Sequence, residues 1–305
     1  MKVLRPFSLI CLLLLIPTVT FTARADGFIL TNSAYTIFNA PGTNSTLPWA
    51  IDDAGDIAGT YVDSAGYHGF LDVGNVYTSI YYTGNGQTLV QGMNDRGQIV
   101  GTTTDNTGFV YSAGTFTPLL DPSLDPFGIN DEGQISGYYY DGSGVPHGFL
   151  LTGNTLTTID DPSGGETFLY GINDSGQIVG QSITINGPET GFLYANGVFS
   201  TISCPGAYAT LPFGINDNGA IVGICESTQG VQGFVDLNGN FGLLNVPFYQ
   251  HTEAYSINDK DQIVGAAYDP IQVPEPNTLF LTSLGLLFIV GFYRGSAKTV
   301  TAGRR

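Results

Sequence analysis

The sequence predicts an all-β fold: a six-bladed β-propeller of four-stranded repeats about 42 residues long, on three observations. The phrase Tyr170-Gly-Ile-Asn-Asp-Ser-Gly-Gln-Ile-Val-Gly180 returns at 128–137, 214–223 and 256–265, and more loosely at 50–59 and 92–101. A Gly-Phe pair opening an apolar run lies between the copies, at Gly27-Phe28, Gly69-Phe70, Gly108-Phe109, Gly148-Phe149, Gly191-Phe192 and Gly233-Phe234. The aspartates of the first marker (Asp53, Asp95, Asp131, Asp174, Asp217 and Asp259) are spaced 42, 36, 43, 43 and 42 residues apart. Four strands in that length make a propeller blade, whereas a β-helix coil closes in roughly half of it.

Within one period, an apolar strand A runs into the Asn-Asp turn and strand B leaves it at Gln-Ile-Val. Strand C opens on Gly-Phe, and strand D follows a tight turn such as Asn196-Gly197 or Asn238-Gly239. Asn-Gly between apolar runs is a strong hairpin signal because both central residues need positive φ. The second period is short because its B–C connection is reduced to residues 104–107, and a loop is where a deletion costs least. Composition agrees: 42 glycines, with 42 % hydrophobic residues rich in Tyr, Phe and Ile, suit many short strands and tight turns.

The phase of the markers predicts how the ring closes. The first Gly-Phe precedes the first Asn-Asp-type turn, and no Gly-Phe follows the last one. Strands C and D at residues 28–38 therefore share one blade with strands A and B at 255–267, and the terminal edges protect each other.

Both ends carry targeting signals. Lys2 and Arg5, the apolar stretch 9–16 and Ala23-Arg24-Ala25 form a secretory signal peptide over residues 1–25, cut after Ala25. The propeller is expected over 26–270. Residues 271–305 hold Val273, Pro274, Glu275 and Pro276, a short apolar segment at 279–293, and Arg294, Lys298, Arg304 and Arg305. Fifteen helical residues span roughly 22 Å, short of a ~30 Å hydrocarbon core, and the basic residues after them place the tail in the cytoplasm. This end resembles the PEP-CTERM sorting signal of Gram-negative, exopolysaccharide-producing bacteria, on the Pro-Glu-Pro motif, the short span and the terminal arginines. The resemblance implies transient anchoring in the inner membrane, cleavage near Pro274–Pro276 by an exosortase, and a mature protein at the cell surface or released.

The repeats resemble the HAF family of probable extracellular repeats, on His68-Gly69-Phe70, His147-Gly148-Phe149 and the Gly-Ile-Asn-Asp-x-Gly-x-Ile-Val-Gly phrase. The likeness covers nearly all of residues 27–269 and implies an exported, propeller-like protein without an assigned reaction. Asp26, Thr107, Thr190 and Gln232 stand where two copies have His, which argues against an essential role for that histidine.

Charge narrows the partners. Between residues 26 and 276 only Arg96 and Lys260 oppose all 26 acidic residues, a net of −24, which repels anionic lipid and excludes nucleic-acid binding. The six turn aspartates are read as structural, bonding the backbone of their own turns, because Asn-Asp-x-Gly offers too few oxygens for a Ca²⁺ loop. Cys204 and Cys225, at one end of adjacent blades, are expected to form a disulfide, which export permits.

No nucleophile elbow, zinc spacing or phosphate loop appears, so no catalytic residue and no cofactor is assigned. The variable B–C and D–A segments (63–67, 121–125, 141–146, 160–166, 182–189 and 226–231) share one end of the ring, where a site is expected. Their acids and Tyr61, Tyr81, Tyr82 and Tyr138–Tyr140 would suit stacking or Ca²⁺-assisted contact with sugars. The expectation is an exported surface or matrix protein that binds or supports exopolysaccharide or an envelope partner. The competing class is a polysaccharide-active hydrolase or lyase using carboxylates of the same face.

Overall fold

The computed structural model describes residues 24–43, 45–82, 87–184 and 189–268. The sorting motif at 273–276, the apolar segment at 279–293 and the leader before Arg24 lie outside them. Among the described residues no helix is long and apolar enough to cross a membrane.

The chain opens with the hairpin β1 (Ala25–Thr31) and β2 (Ala34–Phe38). Blade 1 follows as β3 (Ser45–Ile51), β4 (Ile57–Asp63), β5 (Gly66–Val73) and β6 (Val76–Ile80). Blade 2 is β7 (Thr88–Met93), β8 (Ile99–Thr103), β9 (Gly108–Ser112) and β10 (Thr115–Pro118). Blade 3 is β11 (Asp125–Ile129), β12 (Gln134–Tyr140), β13 (Pro146–Thr152) and β14 (Thr155–Ile159). Blade 4 is β15 (Glu166–Ile172), β16 (Ile178–Ile183), β17 (Glu189–Ala195) and β18 (Val198–Ile202). Blade 5 is β19 (Ala209–Ile215), β20 (Ala220–Ser227), β21 (Gly230–Leu237) and β22 (Asn240–Leu244), and β23 (His251–Ile257) and β24 (Ile263–Tyr268) end the body. These form six four-stranded antiparallel sheets, and the sixth has the order β2-β1-β24-β23. The fold is a six-bladed β-propeller closed by strands from both ends of the body, in the phase that the markers predicted.

The two sequence markers meet inside each blade. The last glycine of the first marker and the phenylalanine of the second are cross-strand partners: Gly59 with Phe70, Gly101 with Phe109, Gly137 with Phe149, Gly180 with Phe192, Gly223 with Phe234, and Gly265 with Phe28. Those six phenylalanines are the largest fully buried side chains. At Gly180 an added Cβ would lie 2.2 Å from the Phe168 carbonyl oxygen and 2.7 Å from the Phe192 ring. Glycine therefore provides the flat floor on which each ring lies. Burying one phenyl contributes roughly 2–3 kcal/mol.

Turn chemistry follows the residues. Asn196-Gly197 and Asn238-Gly239 have positive φ at both positions, as the Asn-Gly signal requires. The shortened connection of blade 2 turns at Asn106, which has φ +59° and donates its N–H to the Thr103 carbonyl at 2.8 Å. Cys204 and Cys225 are disulfide-bonded with Cα atoms 6.0 Å apart, tying the link after β18 to β20. Strand β1 begins at Ala25, three residues before the expected start at Phe28 and on the leader side of the expected cut, because Ala25 pairs with Tyr268 and is buried beside Trp49.

Two outcomes check this architecture. Deleting residues 27–41 removes half of the closing blade, so the variant loses cooperative thermal unfolding at the parent temperature; circular dichroism melting measures it. Thiol titration of the denatured protein after removal of the leader finds no free cysteine, and reduction lowers stability by about 3 kcal/mol for a loop of this length.

Candidate functional site

The axis of the ring is built by the innermost strands, β3, β7, β11, β15, β19 and β23, each of which carries a bulge before its turn. A bulge adds an unpaired residue and re-aims its side chain. The residues displaced in this way are Trp49, Gln91, Phe127, Tyr170, Phe213 and Tyr255, and all six line an axial cavity of about 120 Å³. Five are aromatic and in mutual contact: Trp49 stacks on Tyr255 at 4.1 Å, and Tyr170 lies 5.1 Å from Phe127 and 5.0 Å from Phe213. Gln91 is the exception. It is 7 % exposed, and its Oε1 has no hydrogen-bond partner among the described residues.

Two hydrogen-bonded belts surround the end of the cavity at the Asn-Asp turns. In the outer belt each turn aspartate receives the backbone N–H of the aspartate one blade back: Asp53 to Asp95 (2.7 Å), Asp95 to Asp131 (3.0 Å), Asp131 to Asp174 (2.7 Å), Asp174 to Asp217 (2.7 Å), Asp217 to Asp259 (2.8 Å) and Asp259 to Asp53 (2.9 Å). This corrects the expectation that each aspartate bonds its own turn. The asparagine before it does that work: Asn173 Oδ1 accepts the N–H of Gln177 at 2.9 Å. The turn aims the aspartate sideways, where the nearest unsatisfied N–H belongs to the neighbouring blade. Burial, together with the other carboxylates of the belt, raises the carboxyls of Asp95 and Asp217.

The inner belt is formed by asparagine amides donating to backbone carbonyls one blade on: Asn94 to Asn130, Asn130 to Asn173, Asn173 to Asn216, Asn216 to Asn258, and Asn258 to Asp52, at 2.8–3.0 Å. It stops at Asp52, which holds the asparagine position of blade 1 and as a carboxylate has no N–H to give. Burial raises its carboxyl above the ordinary value.

At the opposite end lie the B–C and D–A connections. His147 Nδ1 is 2.8 Å from Asp160 and its Nε2 is 3.7 Å from Asp141; hydrogen bonding to Asp160 raises its pKa. His68, at the equivalent position, pairs with Asp63 at 3.0 Å. Both histidines therefore staple a B–C loop. Of the tyrosines named from the sequence, Tyr61 and Tyr138 are buried, Tyr82 packs on Phe109 and Phe116, Tyr139 stacks on His147, and Tyr81 is 55 % exposed. The D–A connections also expose Leu120, Tyr208 and Phe248, the last at 97 % with φ +72°.

An acidic cluster on this side went unread in the sequence. Glu253 accepts the Tyr255 hydroxyl at 2.6 Å and the Tyr268 hydroxyl at 3.3 Å; burial raises its carboxyl although both hydrogen bonds oppose this. Glu226, whose carboxyl burial and the charge of Glu189 also raise, bonds Tyr208. Among the described residues no group of three or more His, Cys, Asp or Glu side chains is placed to hold a metal ion. The axial aromatics did leave a signal, since Phe127, Tyr170 and Phe213 each stand directly before Gly-Ile-Asn-Asp, and Tyr255 before Ser-Ile-Asn-Asp.

Replacing Asp52 by Asn supplies the missing amide and completes the inner belt. The variant gains about 1 kcal/mol, a net hydrogen bond, and melts roughly 2–4 °C higher. Because the folded-state pKa of Asp52 is raised, the ionised carboxylate costs stability as pH climbs through that value. The gain is therefore largest at neutral pH and shrinks as pH falls into the carboxylate range, which denaturant titrations at several pH values measure.

Comparison with known proteins places the architecture and goes no further. No family model and no curated protein matches the chain. Among solved structures, a putative TolB from Agrobacterium tumefaciens is similar with a TM-score of 0.60 and 12 % identity, over 82 % of this chain and 100 % of that one. TolB from Acinetobacter baumannii is similar with a TM-score of 0.52 and 14 % identity, over 72 % of this chain and 63 % of that one. At these identities the likeness shows the β-propeller fold alone.

Proposed function

We propose that this chain is an exported binding module whose loop end engages exopolysaccharide or another envelope component. The observation that carries the reading is the display of Tyr81, Leu120, Tyr208 and Phe248 on four D–A connections of one end, interspersed with exposed Asp121, Asp141, Asp160 and Glu166. Aromatic faces beside carboxylates suit sugar rings and their hydroxyls, and variable loops on a rigid ring are where recognition concentrates. Export and sorting rest on the leader and on the PEP-CTERM-like tail, with an exosortase as the processing partner. The strongly acidic surface favours a soluble domain and recruitment of cations to the loops, Ca²⁺ among them.

A second reading is a polysaccharide hydrolase or lyase. It is favoured by Glu253, whose raised carboxyl and two tyrosine hydroxyls resemble a general acid with its supports, near Glu226 as a second carboxylate. A glycan array probed with and without Ca²⁺, run beside a reducing-end release assay, separates the two. The binding reading expects retained glycans, affinity about tenfold weaker (1.4 kcal/mol) in Tyr208→Ala or Phe248→Ala, and no released ends. No retained glycan would remove it. Released ends that disappear in Glu253→Gln would establish the enzyme instead.

A further inference from the structure

The axial cavity at the other end of the ring is independent of the loop-face reading and has three properties that belong together. Its mouth is a closed belt of six aspartates, each using Oδ1 to accept a neighbouring backbone N–H. Its wall is aromatic, with Trp49, Phe127, Tyr170, Phe213 and Tyr255. Among the six bulge residues of the wall Gln91 alone is polar; it is more than nine-tenths buried and presents Oε1 without a partner among the described residues. An acceptor left unmade in a buried place is costly, and here the missing component is a donor.

We propose that this cavity is a binding site for a small organic cation, a primary ammonium or guanidinium group. The aspartate belt draws the charge in, the aromatic faces hold it, and Gln91 Oε1 accepts one of its N–H groups. Among the described residues the two basic side chains at this end do not neutralise the belt. Lys260 is held on the Asp53 carbonyl, and Arg96 stands 3.9 Å from Asp131 with its side chain 58 % exposed. Two cations against six carboxylates leave an excess of four negative charges.

The geometry disfavours a metal ion as occupant. Oδ1 of each belt aspartate is committed to a backbone N–H, and among the described residues no group of three or more His, Cys, Asp or Glu side chains is placed to hold a metal ion. An organic cation asks for neither. It keeps the belt intact and gains from aromatic faces that a hydrated metal ion does not use. Gln91 breaks the aromatic series at one of six equivalent positions, which makes the pocket lopsided and sets one side for a donor.

Trp49 is the only tryptophan in the chain and lies in the cavity wall, so its fluorescence reports occupancy directly. The full-length chain is titrated at constant ionic strength with n-butylammonium, guanidinium, and short peptides carrying Lys or Arg; NaCl and CaCl₂ serve as controls. The expected result is saturable change with the organic cations and none with the salts. Tighter binding of the peptides than of the free amines assigns the source to a protein side chain, and the reverse assigns it to a small molecule. Gln91→Leu weakens binding about tenfold, whereas Gln91→Glu, which keeps the acceptor and adds charge, tightens it. Asp174→Asn keeps the belt acceptor and weakens binding a few-fold. Absence of saturable change, an equal response to CaCl₂, or unaltered affinity in both Gln91 variants would overturn the site.

Discussion

A phenyl ring laid on a glycine is the contact on which the rest of this propeller depends. In every blade the phenylalanine of strand C covers the glycine of strand B, where a methyl group would collide with the carbonyl of strand A. Three strands are thus locked in register by one pair of residues. A slip of one position would turn the ring to the opposite face of the sheet and put a side chain where none fits. Because the same pair recurs six times, the blades come out nearly identical, and nearly identical blades close a ring.

The belts at the Asn-Asp turns turn that similarity into a closed circle of hydrogen bonds. Their chemistry divides cleanly between adjacent residues: asparagine completes its own turn and reaches the next carbonyl, while aspartate accepts the previous blade's N–H. Departures from six-fold regularity fall on neighbouring blades, with Asp52 in blade 1 and Gln91 in blade 2. Asp52 interrupts a belt, and Gln91 opens a polar gap in an aromatic wall. In a ring of repeats, such departures distinguish one radius from another and give an otherwise symmetric axis a direction.

Much of this architecture was legible in the chain. Marker spacing counted the blades, marker phase predicted the shared sheet, and the 36-residue period located the shortened loop of blade 2. The pairing of Gly180 with Phe192 was not read, although both residues were already marked, because strand register depends on the length of the B–C connection. The aspartate belt was misassigned for a related reason. A side chain's local options can be listed from its turn, but a partner 43 residues away, such as Asp217 for Asp174, exists only after the blades are arranged. The bulge residues and the Glu253 cluster share this limit: Tyr255 and Tyr268 converge on one carboxylate because β23 and β24 pair side by side there.

The shared blade also governs the order in which the protein can form. Five blades are built from hairpins whose partners are near in sequence, and these close early. Strand β1 pairs Asp26 with Ala267, about 240 residues later, a separation typical of slow topologies. During synthesis from the N-terminus its inner edge is available before any native partner exists. Of the described strands the last made is the one that protects the first, so the pairing that closes the ring also removes the open edge that β1 presents as a template for unwanted pairing.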